Sequence, residues 1–136
     1  MKLYLASNVL LDVLLVRESY YENAHTILQR IESSYVSGYT SSTVVTDIYY
    51  LVRKQFNPKT ANNAVKLMLN LLEINPTDRE VLTNAVNSKF TDFEDAVQNY
   101  AAESAFCDII ITRNVKDYKQ SKLKVMTPKE YLKKYS

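Results

Sequence analysis

Glycine is almost absent from this chain, and its scarcity excludes several common nucleotide-binding motifs. Gly38 is the only glycine among 136 residues. A Walker phosphate loop and a dinucleotide fingerprint each need more than one glycine, so neither can be present. Histidine and cysteine are equally scarce, with only His25 and Cys107. A Cys/His zinc site or a catalytic Cys–His pair is therefore not expected, and an internal disulfide is excluded.

Long apolar runs are lacking as well. No stretch of about 18 apolar residues occurs, so no membrane span is expected. The first residues, MKLYLASNVLLDVLL, combine a lysine with an apolar stretch, but Asn8 and Asp12 interrupt it. We therefore interpret this segment as a strand and a helix rather than a signal peptide, and expect a cytoplasmic protein. The length and the 46% hydrophobic content predict one globular domain over residues 1–136.

The spacing of apolar residues predicts strands that alternate with helices. Strands are expected at residues 2–6, 35–40, 72–75, 108–112 and 123–126, with helices between them. Three later helices are expected to begin at Thr77, Thr91 and Thr127, each followed three residues later by a glutamate, which is the capping-box pattern. Such alternation indicates a mainly parallel sheet covered on both faces. Ligands of these sheets bind beyond the carboxyl ends of the strands.

Carboxylates cluster at the two ends of one predicted helix–strand unit. Asp92, Glu94 and Asp95 lie in the first turn of the helix, and Asp117 follows the fourth strand. If the helix packs antiparallel to its strand, Asp95 and Asp117 converge at one sheet edge. Converging carboxylates repel one another unless a hard cation lies between them, so we expect an Mg²⁺ or Mn²⁺ site. Glu94 is assigned to a capping box with Thr91.

Other polar or charged positions have sequence contexts of their own. Asp47 lies in the middle of a helix whose other face is apolar, where aspartate is unfavourable, so either a local requirement or a solvent-facing position explains it. Thr112 and Asn114 could orient a carboxylate or a metal-bound water. Asp12 and Asp108 are assigned to surface or capping positions.

The carboxyl-terminal segment is strongly basic. Residues 113–136 hold eight basic and two acidic side chains, a net charge of +6. A basic segment beside an acidic cluster suits a polyanion held by its phosphates, although a solvated lysine-rich surface explains the same charge. The RNA-binding candidates are Arg113, Lys116, Lys122 and Lys124.

Four segments together resemble a known family. SNVLLDVLL after the first strand, Asp47 in the third helix, DFEDAVQ, and IITRNVKDY resemble the PIN domain of VapC-type toxin ribonucleases from bacterial toxin–antitoxin pairs. The resemblance covers nearly the whole chain. It implies a three-layer α/β/α sandwich with a central, mainly parallel sheet of about five strands. It also implies RNA phosphodiester hydrolysis with Mg²⁺ or Mn²⁺, a homodimer, and a small antitoxin over the acidic edge.

The resemblance also assigns the site residues. The family's four acidic positions correspond to position 6, Asp47, Asp95 and Asp117 of this chain, with Asp92 as an auxiliary acid. Asn8, together with Thr112 or Asn114, corresponds to the family's polar supports.

The chain departs from the family pattern at position 6. Family members carry an aspartate there, whereas this chain has Ala6, whose methyl group cannot bind a cation. Two explanations remain open: the aspartate was replaced deliberately to disable a nuclease, or the chain is a natural member that binds without cutting. The expected function is a weakened or inactive metal-dependent endoribonuclease. The alternative is a non-catalytic PIN-like module that binds RNA or protein.

Overall fold

Five short parallel strands form the centre of the protein. The computed structural model describes residues 1–136, and its strands are β1 (Lys2–Leu5), β2 (Ser37–Ser41), β3 (Glu73–Asn75), β4 (Ile109–Ile111) and β5 (Lys124–Met126). Their order in the sheet is β3-β2-β1-β4-β5. β1 is therefore central, and it pairs with β2 on one side and β4 on the other. All five carboxyl ends point to the same edge of the sheet.

Seven helices connect the strands. They are α1 (Ser7–Leu14), α2 (Tyr21–Glu32), α3 (Ser42–Gln55), α4 (Pro58–Leu71), α5 (Arg79–Val86), α6 (Phe93–Ser104) and α7 (Pro128–Lys134). A single 3-10 turn, Val115–Tyr118, follows β4. Each predicted strand and helix is present to within a few residues, as expected for boundaries inferred from apolar spacing. None of these helices is long and apolar enough to cross a membrane.

Two hydrophobic cores lie on opposite faces of the sheet. Alternate residues of β1 point to opposite faces, and accordingly Leu3 and Leu5 belong to one core whereas Tyr4 belongs to the other. The larger core includes apolar residues of α1, α2, α3 and α4, and the smaller one those of α5 and α6. This arrangement confirms the predicted three-layer α/β/α sandwich with its parallel five-stranded sheet.

Two of the three predicted capping boxes are wrong. Thr127 caps α7 and forms a complete box with Glu130. By contrast, the side chain of Asp78 caps α5 and that of Asp92 caps α6. In both cases an aspartate next to the predicted threonine occupies the cap, because aspartate is at least as effective an N-cap as threonine.

Gly38 is required by close packing between β2 and the larger core. A Cβ atom at this position would lie 2.5 Å from Ile31 Cδ1 and 2.8 Å from Leu72 Cδ2. We expect Gly38→Ala to lower the free energy of unfolding by about 1–3 kcal/mol, as overpacking of a filled core usually does. Urea denaturation measures the change. Ser37→Ala, at the exposed neighbouring position, is the control, and an equal effect of both substitutions would contradict this explanation.

Candidate active site

Hydrogen bonds fix the carboxyl edge of the sheet around the start of α1. The backbone N–H of Ala6 donates to the carbonyl of Ile111 at 3.0 Å, so β1 and β4 remain paired to their ends. The N–H of Ser7 donates to Gln98 Oε1 at 3.1 Å, which ties α1 to α6. The start of α1, the end of β4 and the first half of α6 therefore meet at one edge. Ala6 lies between them and is buried.

Asp95 is at the centre of the acidic cluster. Burial, followed by the negative charges of Asp92, Asp117 and Glu94, raises its pKa to about 6. The neighbouring Tyr118 acts in the opposite sense. The other three carboxylates therefore lie near enough to Asp95 to repel its charge, as the sequence predicted for Asp117, although they do not converge tightly enough to hold an ion between them. Neither ion pair of the protein includes any of them, so the cluster carries uncompensated negative charge.

Asp95 is expected to destabilise the fold at neutral pH. Its pKa of about 6 lies above the ordinary value of 3.8, so the folded state holds this proton more tightly than the unfolded state. Stability attributable to the protonated carboxyl is present below pH 3.8 and is lost as the pH rises to about 6. Asp95→Asn should therefore raise the free energy of unfolding at pH 7 by about 1–2 kcal/mol, after allowance for solvent screening.

The pH dependence separates this effect from a simple packing change. Urea denaturation at pH 7 and at pH 3.5 should show the gain at the higher pH only. Asp108→Asn, at an exposed carboxylate on the opposite sheet edge, is the matched control and should have a smaller effect. An equal gain in the free energy of unfolding at both pH values would show that the charge of Asp95 is not the cause.

Asp47 is beside the cluster rather than within it. It is exposed on α3 and lines a cavity of about 100 Å³ together with Glu94, Ser7 and Gln98. It is not among the groups that shift the pKa of Asp95. Glu94, which both lines this cavity and acts on Asp95, lies between the two acids. Assigning Glu94 to a cap was wrong, and its position makes it a further candidate site residue.

The polar supports predicted from sequence do come together. Asn8 Nδ2 donates to Thr112 Oγ1 at 3.1 Å. Thr112 Oγ1 also accepts the backbone N–H of Asn114 at 3.2 Å, and Asn8 Oδ1 accepts that of Arg113 at 3.3 Å. This network fastens the loop after β4 to α1. Asp117 is then placed by a backbone hydrogen bond from its N–H to the carbonyl of Asn114, at 3.0 Å.

The prediction that Asp12 is a surface or capping residue is wrong. Its side chain is fully buried, and it accepts a hydrogen bond from Arg113 Nε at 2.7 Å. Arg17 approaches its other oxygen at 3.4 Å. The guanidinium of Arg113 also lies 4.1 Å from the centre of the Tyr20 ring. Arg113 is a predicted RNA-binding residue, and in the structure its guanidinium forms an ion pair with Asp12.

The predicted RNA-binding lysines lie at two different edges. Lys116 follows β4 at the carboxyl edge and is exposed. Lys124 is paired with Ile109, the first residue of β4, and therefore lies at the amino edge. Lys122 shares a cavity with Lys124, Asp108 and Met1 at that same edge. Lys122 and Lys124 are thus remote from the acidic cluster, because parallel strands carry their two ends on opposite sides of the sheet. Their role in RNA binding stays a prediction.

The donor set suits a hard cation, although it is incomplete. Asp92, Asp95 and Asp117 offer carboxylate oxygens, the ligands that Mg²⁺ and Mn²⁺ prefer. No group of three or more His, Cys, Asp or Glu side chains converges tightly enough to hold a metal ion. Asn99, one helical turn after Asp95, is buried and neither its Nδ2 nor its Oδ1 has a hydrogen-bond partner. The side chains present therefore offer part of the ligand set of a hard cation without forming a complete site.

The structure defines a three-layer α/β/α protein with carboxylates at the carboxyl edge of a parallel sheet. The family model of the PIN domain matches residues 2–116, and the chain belongs to this family. The resemblance of the sequence to the PIN domain is thereby confirmed.

Several proteins of known structure or sequence are similar to the chain over most of its length. Ribonuclease VapC1 of Aquifex aeolicus is 24% identical over 140 residues, covering 99% of this chain and 96% of that protein. The structure of DNA-bound VapBC from Salmonella typhimurium superimposes with a TM-score of 0.72 at 14% identity, covering 94% of this chain and 98% of the other. VapC20 of Mycobacterium tuberculosis, a toxin that cleaves the sarcin–ricin loop, gives a TM-score of 0.62 at 14% identity and covers 79% and 86%.

Proposed function

We propose that the chain is a metal-dependent endoribonuclease, the toxin of a toxin–antitoxin pair, weakened by Ala6. The observation that carries this proposal is the uncompensated cluster around Asp95 at the carboxyl edge of a PIN-domain sheet. The similarity to ribonuclease VapC1 supports RNA as the substrate. The similarity to VapBC complexes supports an antitoxin as the partner.

The roles of the residues follow from their positions. Asp95 and Asp117 would hold an Mg²⁺ or Mn²⁺ ion, with Asp92 and Asp47 as nearby acids. The bound ion would offset phosphate charge and promote ionisation of a water for attack on phosphorus. Asn8 and Thr112 keep the loop that carries Asp117 in position. Tyr118 remains a neutral hydroxyl because burial raises its pKa, so it can donate a hydrogen bond to the carboxylate of Asp95.

The direct test is RNA cleavage by a variant that carries Ala6→Asp. Structured and single-stranded RNA are incubated with Mg²⁺ or Mn²⁺, and EDTA should abolish the reaction. Asp95→Asn in the same background should also abolish it, which separates this activity from a contaminating nuclease. No cleavage of either RNA with either ion would contradict the proposal.

A second function is favoured by one specific observation. Without a carboxylate at position 6, no group of three metal-ligating side chains converges, which suits a module that binds RNA without cutting it. This alternative predicts that Asp95→Asn leaves RNA affinity unchanged and that the Ala6→Asp protein binds no Mn²⁺ by calorimetry. Antitoxin binding and homodimer formation are proposed on the same grounds as the toxin assignment. Light scattering of the purified chain tests the dimer.

A further inference from the structure

A polar cleft lies beside the acidic cluster at the same edge of the sheet. Its volume is about 320 Å³, and it is formed by residues that precede or begin α2, by the loop after β4, and by the start of α7. The lining residues are Ser19, Tyr20, Asn23, Arg113, Asn114, Thr127, Pro128 and Lys129. Its size is at the lower end of the range for small-molecule sites, which is about 300–1,000 Å³. One nucleotide fits such a volume, whereas a duplex does not.

The charge of the cleft favours an anion. Arg113 and Lys129 are the charged side chains in its lining, and no acidic side chain lines it. This contrasts with the cluster around Asp95, which is strongly acidic. Lys129 is in neither ion pair and attracts a phosphate group, whereas the charge of Arg113 is partly compensated by Asp12. The guanidinium nitrogens of Arg113 other than Nε can still donate to a phosphate oxygen.

The wall of the cleft is held in place before any ligand binds. Arg113 is fixed by its 2.7 Å hydrogen bond to the fully buried Asp12. Its guanidinium covers one face of Tyr20 at 4.1 Å, while Tyr20 remains 46% exposed. A site that is ordered in advance loses less entropy on binding. The exposed part of the Tyr20 ring is therefore available for stacking on an unpaired base.

Two asparagine side chains in the cleft can recognise the edge of a base. Asn23 and Asn114 both line the cleft, and an amide side chain can pair with the donors and acceptors of a base edge. The backbone N–H of Asn114 is already bonded to Thr112 Oγ1. The carbonyl of Asn114 accepts the N–H of Asp117 at 3.0 Å, so the cleft adjoins the acidic cluster directly.

We propose that this cleft is a nucleotide subsite, which binds one nucleotide of single-stranded RNA next to the phosphodiester at the acidic cluster. The phosphate contacts Lys129 and Arg113, the base stacks on Tyr20, and Asn23 and Asn114 bond the base edge. This inference rests on the proposed function, since it takes RNA as the substrate of the same edge. Residues of the cleft then determine which nucleotide flanks the cleaved bond.

Fluorescence anisotropy with a labelled single-stranded RNA of about eight nucleotides tests the subsite, with EDTA present to prevent cleavage. Lys129→Ala should weaken binding about fivefold. Lys133→Ala removes the same charge from the same helix but lies outside the cleft, and it should have a smaller effect. Equal effects of the two lysine substitutions would overturn the proposal, because net charge alone would then explain the binding.

A second variant tests base recognition without altering charge. Asn23→Ala changes neither the core nor an ion pair, and it should weaken RNA binding by a factor that differs between oligonucleotides of different sequence. Nucleoside monophosphates should compete with the labelled RNA more strongly than inorganic phosphate does. Equal competition by phosphate would leave only an anion site and would refute the nucleotide assignment. Unchanged RNA affinity in both variants would also refute it and would make an acidic peptide the better occupant.

Failure of the subsite and failure of the nuclease assignment give different results. If the Ala6→Asp protein cleaves RNA and the Lys129→Ala and Asn23→Ala substitutions leave its KM unchanged, the subsite is wrong and the nuclease assignment stands. If no variant cleaves RNA but the cleft substitutions weaken RNA binding, the subsite stands and the nuclease assignment is wrong.

Discussion

An Ala6→Asp variant is expected to cleave RNA at least about 100-fold faster than the present chain when Mg²⁺ or Mn²⁺ is supplied. Ala6 is only 1% exposed and lies between the carboxyl end of β1 and the start of α1. Its backbone already has the extended conformation of an N-cap, with φ −68° and ψ 158°. This backbone conformation suits an aspartate N-cap, and its side chain would add the carboxylate that the cation site lacks.

The matched control is Ala6→Asn, because asparagine and aspartate are equally good N-caps. Ala6→Asn should stabilise α1 by about 1 kcal/mol, since no side chain caps this helix now. Ala6→Asp supplies the same cap but adds a buried charge beside the acidic cluster, so in EDTA it should be less stable than Ala6→Asn. Only the aspartate adds negative charge, so only Ala6→Asp should gain cleavage, and only this variant should melt at a higher temperature when Mn²⁺ is added. Equal cleavage by both variants would show that capping, rather than metal binding, limits the activity.

Loss of Arg113 is expected to lower stability strongly. Arg113→Ala should lower the free energy of unfolding by about 3 kcal/mol, the lower end of the usual cost of breaking a buried ion pair, because only the longer contact with Arg17 then remains. Asp12 is fully buried, and the 2.7 Å contact with Arg113 is the shorter of its two ion pairs. Arg113→Lys should not restore the loss, because a lysine lacks the planar fork that both bonds Asp12 and stacks on Tyr20. Urea denaturation measures all of these differences.

Arg17→Ala provides an internal comparison, because Arg17 pairs with the same aspartate. Arg17 is 39% exposed and lies 3.4 Å from Asp12, so its removal should cost less than about 1 kcal/mol. An Asp12→Asn/Arg113→Ala double variant should be more stable than Arg113→Ala alone, since the buried charge is then gone. If Arg113→Ala proves no more destabilising than Arg17→Ala, Asp12 is not held in the way that the structure indicates.

The fold was largely predictable from sequence, because apolar periodicity reports which residues face a core. All five strands and seven helices are near their expected positions. The convergence of Asp95 and Asp117 was also predictable, since a helix that returns antiparallel to its strand must begin at the strand's carboxyl edge. The helix caps were not, because threonine and aspartate compete for the same position and local sequence does not decide between them.

Asp12 and Glu94 show the limit of sequence reasoning at the site. Asp12 belongs to an apolar helix, and its partner Arg113 is 101 residues away. The pair forms only when the loop after β4 packs against α1. Glu94 had an adequate local explanation as a cap, and only its position near both Asp47 and Asp95 makes it a candidate site residue.

The sequence by itself determined the alternation of strands and helices, the acidic residues available to the site and the absence of a carboxylate at position 6. These properties depend on residue identity and short spacing, which the chain carries locally. Only the tertiary structure decided that Asp12 is buried beneath Arg113, that Lys122 and Lys124 lie at the far edge of the sheet, and that a basic cleft adjoins an acidic cluster. The physical reason is that each of these relations depends on how parallel strands distribute distant residues between two opposite edges.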